Sequence, residues 1–416
     1  MPSLRLIFLL AVVAGMATRL WLANRQIAAV TRHRAHVPEP FAHSISPADH
    51  HKAADYAAAR TRLGRIDTLI DGLVLLALTL GGGIAALDRL WLRWPLGEPW
   101  HGTLVILSVL LLMALIGLPL SLWSTFRLEA RFGFNRTTLA LFLVDRIKGL
   151  VLAALIGTPL LLAALELMDR AGALWWIYVW ALWLGVSLLL TWAYPALIAP
   201  LFNRFSPLRD EALRTRIEAL LQRCGFASRG VFVIDGSRRS AHGNAYFTGV
   251  GRNKRIVFFD TLISTLEPGE IEAVLAHELG HFKLHHIRRR LIISAVLALA
   301  GLALLGYLAT RPWFYQGLGL PGASNYGALL LFMLVTPVFT FFVTPLAAHW
   351  SRRDEYAADA FAAQHTPAAA LMAALVKLYR DNATTLTPDR VHSQFYDSHP
   401  PALARIARLR ELAPGP

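Results

Sequence analysis

Seven stretches of the chain, near residues 4–23, 69–91, 103–126, 149–168, 174–199, 291–310 and 327–350, are apolar and almost free of charge. Each has the length of about 20 helical residues that crossing a hydrocarbon core demands. No water is present there to satisfy backbone groups, so apolar runs of this length are read as membrane helices. Composition agrees: 55% of residues are hydrophobic and 16% charged, where soluble domains carry about 25% charged residues. The first stretch holds Arg19, and the last holds Pro337 and Pro345, which predicts a kinked span. The first stretch also follows a short basic start, as a signal peptide does. No small-x-small cleavage site follows it, and it is read here as a retained span.

Arginine and lysine test this topology. Loop 24–68 carries seven, 127–148 five, 200–290 fifteen and the tail from 351 eight. The alternate connections 89–102, 169–173 and 311–326 carry two, one and one. With seven spans all the rich segments fall on one side, which the positive-inside rule makes cytoplasmic. An even number of spans would break the alternation. The same rule accounts for the net charge of +14 without a nucleic-acid partner. The lone cysteine, Cys224, excludes an internal disulfide and any multi-cysteine metal site and reads as a packing residue.

The expected fold is a mostly α membrane protein of about seven transmembrane helices with an α+β domain inserted between spans 5 and 6. Four units follow: a membrane domain 1–200, a cytoplasmic segment 201–290, spans 6 and 7 within 291–350, and a C-terminal segment 351–416. In the inserted segment, helical spacing from Leu208 to Cys224 ends at Gly225. Strands are expected at Val231–Ile234, Ala245–Thr248 and Arg255–Phe259, bounded by Gly, Ser and Asn. Glu267-Pro268-Gly269-Glu270 reads as a helix start. Residues 40–56, polar with several His and Pro, read as a loop.

That last helix contains His277-Glu278-Leu279-Gly280-His281. Helical residues four apart share a face, so both imidazoles can reach one metal ion, while Glu278 is turned towards a water on that ion. Two His and a Glu so arranged are the parts of a zinc hydrolase. The bland alternative is a helix whose histidines face water or core. The apolar residues before the motif weigh against it. His285 and His286 do not supply a third ligand: His285 is about 12 Å along the axis from His277. The arrangement in which glycine breaks the helix before a third histidine would need Gly and His where Leu284 and Ile287 stand. Both histidines read as surface residues near the membrane. After the seventh span, Glu355 and Asp359 are four apart and share a face. Glu355 could complete the site and Asp359 accept the outer N–H of a ligand histidine; alternatively the segment is an ordinary charged juxtamembrane helix.

The sequence resembles the integral-membrane CAAX prenyl proteases, seven-span zinc endopeptidases. The likeness runs from Arg131-Phe132-Gly133-Phe134-Asn135 with Asp145 and Lys148, through Ile198 to Asn203, His242-Gly243-Asn244-Ala245-Tyr246-Phe247 and the histidine motif. It continues to Glu355–Phe361 and Ser398-His399-Pro400-Pro401. The resemblance implies a gluzincin-like catalytic domain completed by the C-terminal helices, around an intramembrane chamber. It implies that Asn244 and Ala245 lie on an edge strand that binds substrate, that His399 assists catalysis by donating to the oxyanion, and that Arg405 holds substrate.

The expected activity is therefore that of a membrane-embedded zinc endopeptidase with one Zn²⁺ per chain, ligated by His277, His281 and Glu355. Glu278 is the general base for zinc-activated water. The expected partners are a peptide or protein substrate, including one prenylated at its C-terminus, and the lipid bilayer. Prenyl-peptide cleavage and turnover of membrane proteins are both open roles. The Ala/Arg-rich composition and short loops read as bacterial, which places the protein in an inner membrane with its site towards the cytoplasm. Two readings from other classes are a membrane scaffold with a structural zinc site and a seven-span channel or transporter. The first lacks a fourth protein ligand, and against the second the informative polar residues cluster in the cytoplasmic segments rather than along the spans.

Overall fold

A computed structural model of the chain describes residues 2–226, 230–248 and 255–413. Among the described residues, six helices are long and apolar enough to cross a membrane: Ser3–Arg32, Trp100–Glu129, Leu139–Arg170, Gly172–Phe202, His286–Leu308 and Asn325–His365. A seventh crossing is made if Pro47–Leu78 and Gly83–Trp91, bent by 54° at their junction, count as one span. Large apolar side chains on these helices face outward, among them Leu155, Leu197 and Leu297. That is the surface expected where lipid rather than water is the solvent.

Most spans overrun the apolar stretch that predicted them. The helix Pro47–Leu78 absorbs much of the segment read as a loop. Ser46 accepts a hydrogen bond from the Asp49 amide and Pro47 occupies the first helical position, so a competent helix start lies inside the polar stretch. The alanine-rich run behind it sustains the helix. The first helix is tied to the C-terminal segment by a bidentate pair between Arg25 and Asp389 (2.9 and 3.0 Å).

The inserted domain carries a four-stranded sheet of order β1-β2-β4-β3, with β1 Phe205–Pro207, β2 Val231–Ile234, β3 Ala245–Thr248 and β4 Arg255–Phe259. β2 and β4 are parallel; β1 and β3 run antiparallel to their neighbours, with Ala245 opposite Phe258. The three anticipated strands are present, and β1 is too short to leave a sequence pattern. Helix Glu211–Arg223, capped by Asp210, buries Leu213, Ile217, Leu220 and Leu221. These join Ile256, Phe258, Leu279 and Leu409 in one core, with Cys224 packed among them. A separate core built on Phe8, Val105, Leu165, Leu305 and Leu331 holds the membrane helices together.

A candidate metal centre and active site

The motif helix spans Pro268–Lys283. Glu267 and Glu270 form a reciprocal capping box at its start, and Lys377 donates to Glu270 (2.8 Å) from helix Ala368–Asp381. A second helix, Thr344–His365, lies against it. Gly280 permits this approach: a Cβ there would stand 3.0 Å from the Ala358 Cα and 3.2 Å from the Phe361 Cβ. Close contact of the two backbones brings Glu355 and Asp359 to the histidines.

Ligand atoms of His277, His281 and Glu355 all lie within 4.8 Å of one another. The two Nε2 atoms are 3.3 Å apart, and they stand 3.4 and 3.2 Å from the Glu355 carboxylate oxygens. Ligands at 2.0–2.1 Å from a tetrahedral ion are separated by about 3.3 Å, so the three groups fit zinc with a fourth position left over.

The outer nitrogens fix which atoms face inward. His277 Nδ1 donates to Asp359 Oδ1 at 2.7 Å, which leaves the Nε2 lone pair for a metal. Arg405 grips both oxygens of Asp359 (2.7 Å each) from helix Ala402–Leu412. Burial opposes its charge, but the bond to Asp359 outweighs burial and holds the guanidinium protonated. Burial and the Arg405 charge also work to lower the His277 pKa, yet its bonds to Asp359 and Glu355 prevail and raise it above the ordinary value. Arg405 Nη2 lies 3.2 Å from His277 Nδ1, but that nitrogen's hydrogen is committed to Asp359, so this is a packing contact.

His286 departs from expectation. His285 is exposed, as anticipated, but His286 is 4% exposed and its Nδ1 sits 3.0 Å from His281 Nδ1. The motif helix stops at Lys283, and His285 takes a left-handed backbone (φ 60°) that turns the chain under the site. A non-glycine residue seldom adopts that conformation, although histidine does so more readily than most, so no glycine marks the break. With His281 Nε2 facing the metal position, its Nδ1–H donates to His286 Nδ1. The remaining His286 nitrogen faces Asp354 at 3.7 Å, and Asp354 is bound by Arg289.

Glu278 is half-buried, with no hydrogen bond or ion pair to the described residues, so its carboxylate is free to take a proton. His399 touches Glu355 Oε2 through Nδ1 at 2.7 Å, while its side chain stays 64% exposed. Arg405 is 6% exposed and spent on Asp359, so it does not face the open side where a substrate would lie. Ala245 opens β3, an edge strand of the described sheet, and Asn244 immediately precedes it. The Asn244 carbonyl accepts from Phe259 N, whereas Ala245 N turns away from the sheet and donates to Asn244's own side chain (2.8 Å).

Behind that strand, Asn382 Oδ1 accepts from Gly243 N (3.2 Å) and faces His242 Nδ1 at 3.1 Å. His242 stacks on Phe134 and lies 3.7 Å from Glu129, which accepts from Tyr56. Asp145 and Asn203 both hold Arg239, joining the membrane helices to the loop before β3.

Comparison with known proteins agrees with this architecture. Residues 26–204 match the family described as CAAX prenyl protease N-terminal, five membrane helices, and residues 207–413 match Peptidase family M48. The CAAX prenyl protease 1 homolog of Arabidopsis thaliana is 39% identical over 78% of this chain and 77% of that protein. The Homo sapiens homolog is 32% identical over 99% and 97%. The crystal structure of S. mikatae Ste24p superposes with a TM-score of 0.88 at 29% identity, covering 98% of each chain. These relatives are eukaryotic and lend nothing to the bacterial reading of the composition, and a non-catalytic scaffold is not favoured by them. The chain thus belongs to the CAAX prenyl protease family of M48 metallopeptidases and is a multi-span membrane endopeptidase acting on peptide or protein substrates.

Proposed function

We propose that this chain hydrolyses a peptide bond near the C-terminus of prenylated substrates, using one Zn²⁺ held by His277, His281 and Glu355. One observation carries the reading: two imidazole nitrogens and a carboxylate converge within 3.2–3.4 Å, with the outer histidine nitrogens occupied. Lone pairs so directed repel one another unless a cation lies between them. A bound zinc would polarise the scissile carbonyl and acidify water at its open position.

The chain's own groups do the rest. Glu278 accepts the proton of the attacking water and passes it to the leaving amine, which balances the hydrolysis. His399, anchored on Glu355 through Nδ1, presents its other ring nitrogen to the developing oxyanion as a donor. An extended substrate segment adds to the free edge of β3 and takes over the Ala245 N–H from the Asn244 side chain. Asp359 orients His277, and Arg405 acts as a positioning residue through Asp359 rather than as a contact to substrate. The positive-inside rule supports a cytoplasmic side for the catalytic parts, 201–290 and 351–416, against a membrane domain 1–200 completed by spans in 291–350.

The test is cleavage of a farnesylated C-terminal peptide and its unmodified counterpart by detergent-purified protein, with and without chelator. Chelator-sensitive cleavage that favours the farnesylated peptide is expected. Equal rates would remove the prenyl group from the specificity, and no cleavage of either by metal-loaded protein would reject the proposed substrate class.

Two further results are expected. His286→Ala should weaken metal binding about 10- to 100-fold, the usual effect of losing the partner of a ligand histidine; competition with a chromogenic chelator measures it. Metal binding must also displace the proton that the raised His277 pKa retains. Lower pH favours that proton, so affinity should begin to fall while pH is still above 6.5, the ordinary histidine value, and keep falling on acidification. Affinity constant from pH 8 to pH 6 would contradict this.

A further inference from the structure

A second site lies a quarter-turn from the metal-facing side of helix Thr344–His365. His349, Arg352, Arg353 and Tyr356, at positions i, i+3, i+4 and i+7, share one face of that helix. Together with Thr387 and Arg390 they line a cavity of about 370 Å³. That volume is within the roughly 300–1,000 Å³ of small-molecule sites.

Its chemistry is one-sided. Among the described residues three arginines and a histidine line the cavity, and no Asp or Glu does. Of the nearby carboxylates, Asp389 pairs with Arg25 and Asp354 with Arg289, while Asp397 bonds to Ser393 of the cavity wall within electrostatic reach of Arg352 and offsets part of that arginine's charge. Arg352 donates to the carbonyls of Ser393, Gln394 and Asp397, which fixes the cavity wall without neutralising the charge. Arg353 and Arg390 are exposed and have no hydrogen bond or ion pair among the described residues. The Thr387 hydroxyl is buried with no hydrogen-bond partner.

Position narrows the ligand. The helix continues from the last span, and Leu346 (61% exposed) and Trp350 (55% exposed) project beside the basic face. An exposed tryptophan flanking arginines at the end of a span is the pattern of the membrane–water interface. Planar guanidinium forks suit phosphate oxygens, and basic pockets at this depth suit lipid head groups.

We infer that this cavity binds the phosphate of an anionic phospholipid. Arg353 and Arg390 supply the charge. Such a lipid bridges the helix bearing Glu355 to the segment Arg390–Tyr396 that leads to His399, so occupancy ties membrane composition to the geometry around the metal position.

The test titrates detergent-purified full-length protein with dihexanoyl phosphatidylglycerol, dihexanoyl phosphatidylcholine and inorganic phosphate, reading binding by calorimetry. Phosphatidylglycerol should bind best. Arg353→Gln/Arg390→Gln should weaken it about tenfold or more. Arg65→Gln/Arg288→Gln, which removes two exposed charges outside the cavity, should leave it unchanged. Undiminished binding by the Arg353/Arg390 variant would overturn the site. Inorganic phosphate or phosphatidylcholine binding as tightly as phosphatidylglycerol would overturn an anionic lipid as its ligand. The readout is independent of peptidase activity.

Discussion

Glu278→Gln should carry the same amount of metal as the wild type and lose roughly 100- to 10,000-fold in kcat, the range a positioned general base contributes. The substitution is clean for a structural reason. Glu278 is half-buried and bonded to none of the described residues, so glutamine of equal size breaks no contact of the resting fold. The change is confined to basicity: an amide oxygen cannot hold the proton that must travel from water to the leaving amine. Because the two flanking histidines and Glu355 are untouched, metal content by mass spectrometry should match the wild type mole for mole. KM should change little, since the residue acts on the transition state. Activity within about tenfold of wild type would move the base to another residue. His399, which is exposed and touches the ligand Glu355, would then be the first candidate.

Much of this architecture is legible from sequence because the bilayer simplifies the code. A run of apolar residues long enough to span it has few alternative structures, and the alternation of basic loops argues for an odd number of spans. Strands β2, β3 and β4 are legible for another reason: each is a short β-prone run closed off by Gly, Ser or Asn. What stays hidden is pairing. Nothing local says that β4 lies between β2 and β3 and leaves Ala245 on an edge.

The site divides in the same way. His277 and His281 lie on one helix, where spacing alone sets geometry. Glu355 and Asp359 are also four apart, but their meeting with the histidines depends on Gly280 lying against Ala358, a tertiary contact. Arg405 reads as one basic helix residue among many, and only the fold reveals that it is buried on Asp359. His286 was hidden by a left-handed turn at a histidine, where the usual glycine signal is absent. The segment 40–56 misled through composition, since Ser46-Pro47 starts a helix whatever the polarity of the residues that follow.

His277→Ala should lose both metal and activity while the chain remains folded. It removes one of three protein ligands, and two cannot maintain the site. The imidazole's other partner is not stranded, because Asp359 keeps both of its bonds to Arg405 (2.7 Å each). No buried charge is left unpaired, and the cost to the fold is that of a small cavity. Asp359→Asn is the instructive contrast. Asparagine can still accept from His277 Nδ1, so metal affinity should fall by only about 10- to 100-fold. The buried Arg405 guanidinium, however, loses its counter-charge, and removing one partner of a buried pair costs about 3–5 kcal/mol. The two variants should therefore separate: His277→Ala metal-free with a modest fall in Tm, Asp359→Asn metal-competent at high zinc with a large one. Measuring metal content and thermal unfolding on the same preparations distinguishes a ligand from the group that orients it. Equal metal content in wild type and His277→Ala would rule out His277 as a ligand, and with it the three-residue centre.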